Sequence, residues 1–215
     1  MYFGDHPFKT ASKWGVHLEG QWRRHDVASR WQQLFVRPAL NYEVNKNFTL
    51  AVGYAFAKTY RYGDFPTPAK FPEHRFFQQA ILKQTIGKWS ISHRYRMEER
   101  FLGEKIVPIP GGPAHFVRWR YENRFRYQFR IAHPIKGPWG IALYDEPFIA
   151  FGHNVASNVF DQNRAYAAVT YTLGKASRIE VGYMNQLIQQ RNGRIFESNH
   201  TLQVGIFSTL ALRSH

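Results

Sequence analysis

The chain has no cysteine, which removes disulfide frameworks, thiolate zinc sites and cysteine nucleophiles and agrees with either a cytosol or a bacterial envelope. No stretch approaches the roughly 18 consecutive apolar residues of a membrane-crossing helix. Low-complexity segments, charge tails and linkers are missing too, so the 215 residues read as one folded domain. Acids are scarce: 15 Asp and Glu stand against 29 Lys and Arg, a formal balance of +14. Such a charge suggests nucleic acid, an anionic membrane surface or an acidic ligand, and the placement of the arginines decides among them. Residues Met1 to Thr10 lack the apolar run of a signal peptide, so an exported protein is expected here as its mature form behind an added start methionine.

Large side chains are plentiful. Apolar residues make up 44% and aromatics 17%, which excludes a disordered tail. The mean hydropathy of −0.47 resembles that of a soluble chain, but a transmembrane barrel alternates apolar with polar residues and averages to a similar value. From Val117 to Ile131 the odd positions carry Val117, Trp119, Tyr121, Asn123, Phe125, Tyr127, Phe129 and Ile131, whereas the even ones carry Arg118, Arg120, Glu122, Arg124, Arg126, Gln128 and Arg130. A helix would scatter these arginines around its axis; a strand puts rings on one face and charges on the other. The same rule recurs, and predicts ten strands at about 13–24, 31–44, 48–58, 73–83, 89–101, 116–131, 139–151, 163–173, 178–188 and 199–210. Short turns such as Asn45-Lys46-Asn47 alternate with longer connections such as Thr59 to Pro72, Leu102 to Ala114 and Gly152 to Gln162. That asymmetry of the two rims is the habit of outer-membrane barrels, and an even strand number places both termini at the short-turn rim.

Alternation alone leaves open which face turns inwards. The apolar face carries Trp14, Trp22, Trp89, Trp119 and Trp139 with many Tyr and Phe near strand ends, as aromatic girdles do. A ten-strand interior is too narrow for all these rings but can hold arginines paired with carboxylates. The reading is therefore an all-β fold: a single closed antiparallel transmembrane barrel of ten strands in a bacterial outer membrane. Its inward charges are Arg94, Arg96, Glu98, Arg100, Arg118, Arg120, Glu122, Arg124, Arg126, Glu146 and Arg164, joined by Arg23, Arg37, Arg75, Lys83, Arg130 and Arg178 against Glu19, Glu43, Glu73 and Glu180. An unpaired charge out of water costs several kcal/mol, so a ladder of Arg–Glu pairs is expected. Nucleic acid is not expected as a partner, since a binding patch needs arginines beside stacking aromatics and here the two lie on opposite faces.

Several phrases resemble the bacterial outer-membrane family catalogued as domain of unknown function 2490. They are Glu73-His74-Arg75-Phe76-Phe77-Gln78-Gln79, the run from Ser92 through His93, Arg94, Tyr95, Arg96, Met97, Glu98, Glu99 and Arg100 to Phe101, Asn123-Arg124-Phe125-Arg126-Tyr127, Phe160-Asp161-Gln162-Asn163-Arg164, Gly182-Tyr183-Met184-Asn185-Gln186 and Asn199-His200. The resemblance implies an exported β-barrel; the family has no agreed activity, so it implies no catalytic residue.

The cluster of Arg94, Arg96, Glu98 and Arg100 facing Arg118, Arg120, Glu122, Arg124 and Arg126 has two readings. It is either a salt-bridged plug or the lining of a narrow path for a small anion, because arginine forks bind carboxylate and phosphate bidentately. Three outward polar residues, His93, Asn123 and Asp145, mark a candidate interface or lipid-face patch, with hairpin arithmetic pairing position 93 with about 124 and 123 with about 148. A lipid-facing His and Asn are similar to features of outer-membrane phospholipases, but Ser90 and Ser92 face in and supply no nucleophile. His74, His115, His153, Asp64, Asp161 and Glu104 sit at the long-loop rim, where omptin proteases keep their site; no Asp–His dyad is placed by sequence. A hydrolase at the rim or lipid face and a soluble basic barrel binding nucleic acid remain the alternatives. No catalytic residue, cofactor or metal is assigned. The expected partners are outer-membrane lipids and a small anion in the lumen, with role and oligomeric state left open.

Overall fold

Closing a sheet on itself removes the open edges that leave rows of backbone N–H and C=O groups without partners. The computed structural model describes every residue except Val27, Asp64, Pro68, Pro110, Gly111, Ser214 and His215, and in it the sheet closes as an all-β barrel. Its strands are β1 (Tyr2–Pro7), β2 (Trp14–His25), β3 (Arg30–Asn45), β4 (Phe48–Thr59), β5 (Phe71–Ile86), β6 (Trp89–Ile106), β7 (His115–Lys136), β8 (Trp139–Phe151), β9 (Phe160–Thr172), β10 (Ser177–Gln189) and β11 (Phe196–Ser208). Around the wall they follow in sequence order from β2 to β11, with β1 between β11 and β2. The described residues contain no helix.

Two expectations are corrected. The barrel has eleven strands, not ten, and it is mixed: β1 runs antiparallel to β2 but parallel to β11. The extra strand escapes sequence reading because Tyr2–Pro7 has only six residues, including Gly4, Asp5 and Pro7, and no apolar alternation. It is extended because its neighbours offer it two edges. The second correction concerns the N-terminus. β11 ends at the short-turn rim, but Met1 begins part-way up the wall, where its ammonium donates to the Val204 carbonyl at 2.8 Å. Its carbonyl accepts from the Ile206 amide at 2.9 Å.

The remaining strands fall on the ten alternating stretches. The β6–β7 hairpin is longer than its alternation, reaching Ile106 and His115, because pairing of Glu104 with Arg118 continues past Gly103, where the apolar face stops. Inside, Ala39, Ala51, Ala55 and Ala57 are buried and leave room for the long arginines of other strands. Gly53 is required by close approach: a Cβ there would lie 2.5 Å from that of Ala39 and 2.7 Å from the Phe77 ring. Gly87 (φ +59°) and Gly137 (φ +57°) take the left-handed conformation in two of the three two-residue turns. Outside, Trp14 packs on Tyr42 and Trp139 on Tyr171 near the short-turn rim. Phe101 on Tyr121 and Phe160 on Phe196 form a second aromatic level nearer the long loops.

Candidate functional site

The inward positions of β5 to β9 assemble from two elementary rules: i and i+2 share a face, and registered partners sit side by side. In this way Arg100 lies next to Arg75 and Glu122, Glu98 next to Arg124, and Glu146 next to Arg164. Glu98, 1% exposed, accepts from Arg124 Nε at 2.9 Å and Nη2 at 2.5 Å and from Arg126 Nη1 at 2.6 Å. Arg96 approaches it at 3.7 Å and Arg37 at 4.0 Å. Glu146 accepts from Arg94 at 2.8 Å and from Arg126 at 2.7 Å. Glu73 takes a two-pronged contact from Arg75, at 2.7 and 2.8 Å, and a third bond from Arg100. Glu19 holds Arg37, Glu180 holds Arg130 and Arg178, and Asp161 holds Arg124. Because arginines outnumber acids on this face, most of these carboxylates serve two guanidinium groups.

Inward phenyl rings complete the network, a role sequence reasoning missed. Arg124, Arg126 and Arg164 stand over the buried Phe148 ring at 5.0, 4.2 and 5.0 Å. Arg37 and Arg75 stand over Phe35, and Arg37 and Arg96 over Phe77. A ring face attracts a cation, so these phenyls supply part of what the scarce acids do not. The legible signal was an apolar residue on the charged face of its own strand.

Towards the long loops the hairpin overtops β8. There Glu122 pairs with Arg120 at 2.9 Å, and Glu104 with Arg118 at 2.8 Å and Arg120 at 3.0 Å. The hydrogen bond from Arg118 holds the Glu104 carboxyl below its usual range. Glu43, expected inside, is exposed. Beside the charge network one cavity of about 640 Å³ runs along the lumen. It is lined from Tyr60, Tyr62 and Glu197 at the loop end to Lys83, Ser90 and Thr209 at the short-turn end.

The outward residues do not form one patch. His93 pairs with Phe129, not with a residue near 124, and its Nδ1 lies 2.8 Å from the Tyr127 hydroxyl. Asn123 pairs with Glu99 and Phe151 and accepts from Tyr121. Asp145, beyond Phe129, accepts from Asn163 at 2.7 Å. Sequence reading passed over further outward polar pairs between β10 and β11, Asn185 with Ser198 and Tyr183 with His200. Of the rim residues, His74 contacts Tyr54 and Trp119 on the exterior, Asp161 belongs to the charge network, and Asp64 lies outside the described residues. Among the described residues no group of three or more His, Asp or Glu side chains could hold a metal ion.

The family model described as "Protein of unknown function (DUF2490)" matches residues 1–197. An uncharacterised protein of Methylorubrum extorquens is 28% identical over 187 residues, which cover 83% of this chain and 73% of that protein. Among solved structures the NanC porin is similar in fold, with a TM-score of 0.54 and 11% identity over 96% of this chain and 90% of its own.

Proposed function

The chain belongs to the DUF2490 family of proteins of unknown function, and from that premise we propose that it is an outer-membrane channel whose narrow lumen prefers anions. The observation that carries this reading is the sidedness of the wall, with rings outside and guanidinium groups inside. Leu202 is 76% exposed, and Trp22, Val52, Val181 and Val204 share its face; apolar surface of that extent belongs against lipid rather than water. The porin-like fold supports a Gram-negative outer-membrane location.

Anion preference follows from the lumen charge. Basic residues outnumber acidic ones along the cavity wall, and charges of one sign with low-dielectric walls concentrate ions of the other. The aqueous path is the cavity that runs beside the ladder. The test is conductance in planar bilayers under a salt gradient. The expected result is a small conductance with an anion-selective reversal potential, rising when Arg120 or Arg124 is shortened. Silence of both proteins assigns the interior as a plug and overturns the channel, and cation selectivity overturns the anion preference. Turnover of phospholipid or peptide libraries by the refolded protein would replace the channel with a hydrolase.

A further inference from the structure

Among the described residues most lumen arginines pair with an acid; two do not. Arg23, on β2, donates among the described residues to the Gln21 side-chain oxygen, at 3.0 and 2.6 Å. Arg164, on β9, makes no hydrogen bond or ion pair to another described residue, and its Nε is buried without a partner. The acid in register with Arg164 is Glu146. Glu146 is already held by Arg94 and Arg126.

Two further donors near this spot have no acceptor among the described residues, although the buried Glu180 also keeps one carboxylate oxygen unbonded. Arg94 keeps a buried Nε without a partner, and so does the Tyr166 hydroxyl, two residues along from Arg164 on the same face. Tyr144, in register with Tyr166, stacks on its ring at 4.7 Å. All five side chains line the lumen cavity. Arg94 and Arg126 share the Glu146 carboxylate, Arg164 stands in register with it, and Arg23 lines the same cavity with no acid among the described residues, so in a wall where charge is poorly screened the spot stays positive. Planar forks match the two or three oxygens of a carboxylate or phosphate better than they match a halide.

We propose that Arg23, Arg94 and Arg164, with the Tyr166 hydroxyl, form a binding site for a solute bearing a carboxylate or phosphate group. The site rests on the lumen reading above and gives it a substrate class. It also explains why Arg164 is tolerated beside like charges: its counter-ion is the cargo.

The experiment is calorimetric titration of the detergent-folded full chain with sodium phosphate and with sodium acetate, at fixed ionic strength in sodium chloride. One saturable site is expected, with at least tenfold weaker binding in Arg164→Gln and in Arg23→Gln and unchanged binding in Lys175→Gln, which removes an exposed turn cation. Saturation by both ions assigns a general oxyanion site, and saturation by phosphate alone assigns the phosphate group as the element recognised. No saturable binding by the folded wild type, or wild-type binding by Arg164→Gln, overturns the proposal. A second readout guards against a folding defect. Removing a repelled charge leaves Arg164→Gln at least as resistant to urea as the wild type in phosphate-free buffer, whereas a merely structural arginine gives a loss. Binding needs no current, so a protein that binds phosphate through Arg164 yet is silent in bilayers refutes the channel and keeps the site. An anion-selective channel without saturable binding does the reverse.

Discussion

Glu98 and Glu104 occupy the same side of one strand, six residues apart, and alternation treats them alike. Their surroundings differ. Glu98 is 1% exposed with two arginines bonded to it, while the Glu104 side chain keeps 29% of its surface at the rim. Removing the charge of a buried acid strands its guanidinium partners, at a cost of about 3 kcal/mol, whereas an exposed pair contributes about 0.5 kcal/mol. Glu98→Gln is therefore expected to lower stability by about 3 kcal/mol and Glu104→Gln by under 1, read from urea unfolding in lipid vesicles by tryptophan fluorescence. Equal losses would show that the inner ladder does not hold the barrel together. That these residues share a face is legible in the sequence, since period-two spacing fixes it. Which arginine serves which acid is not, because an arginine reaches the next row as easily as its own. The partnerless state of Arg164 depends on distances across the lumen that no local pattern encodes.

At the scale of the strand, long elements announce themselves and short ones do not. β7 has 22 residues and a charged face; β1 has six residues and exists because β2 and β11 leave it a slot. It fills that slot in part. β1 pairs with β2 from Gly15 to Gly20 and with β11 only from Ile206 to Ser208. Among the described residues no ladder joins Gln21–His25 of β2 to Phe196–Gln203 of β11. The seam is anchored below by Phe3 stacked on Phe207 at 4.6 Å and by Asp5 bonded to His17 and Asn41. Above that anchor, alternate amides on both edges face no strand. Hydrogen exchange follows local opening, and an edge without a partner opens at least cost. The seam-facing amides of Gln21–His25 and Phe196–Gln203 are expected to exchange well ahead of those of β9, which is paired on both sides. Equal protection in a mass-spectrometric time course would mean that the seam is closed along its whole height.

Taken whole, the molecule inverts the usual order of a globular protein: Glu73, Glu98, Glu146 and Glu180 are among its most deeply buried large side chains, and Leu202 is among its most exposed. This inversion supports the membrane reading proposed above, and it makes a prediction that a water-soluble barrel would contradict. Leu202 stands on the outer face of β11, in register with Tyr183 and midway between the aromatic pair Trp139–Tyr171 and the pair Phe160–Phe196. In water a side chain 76% exposed tolerates arginine within about 0.5 kcal/mol, since nothing packs on it. In lipid the same change puts a guanidinium into hydrocarbon, at about 2–4 kcal/mol near the midplane of an outer-membrane barrel. Leu202→Arg is therefore expected to lose that amount in folding titrations with phospholipid vesicles, while Leu202→Phe stays within about 1 kcal/mol of the wild type. A Leu202→Arg protein as stable as its parent would mean that this face meets water, and the outward rings would then have to be covered by another protein rather than by lipid.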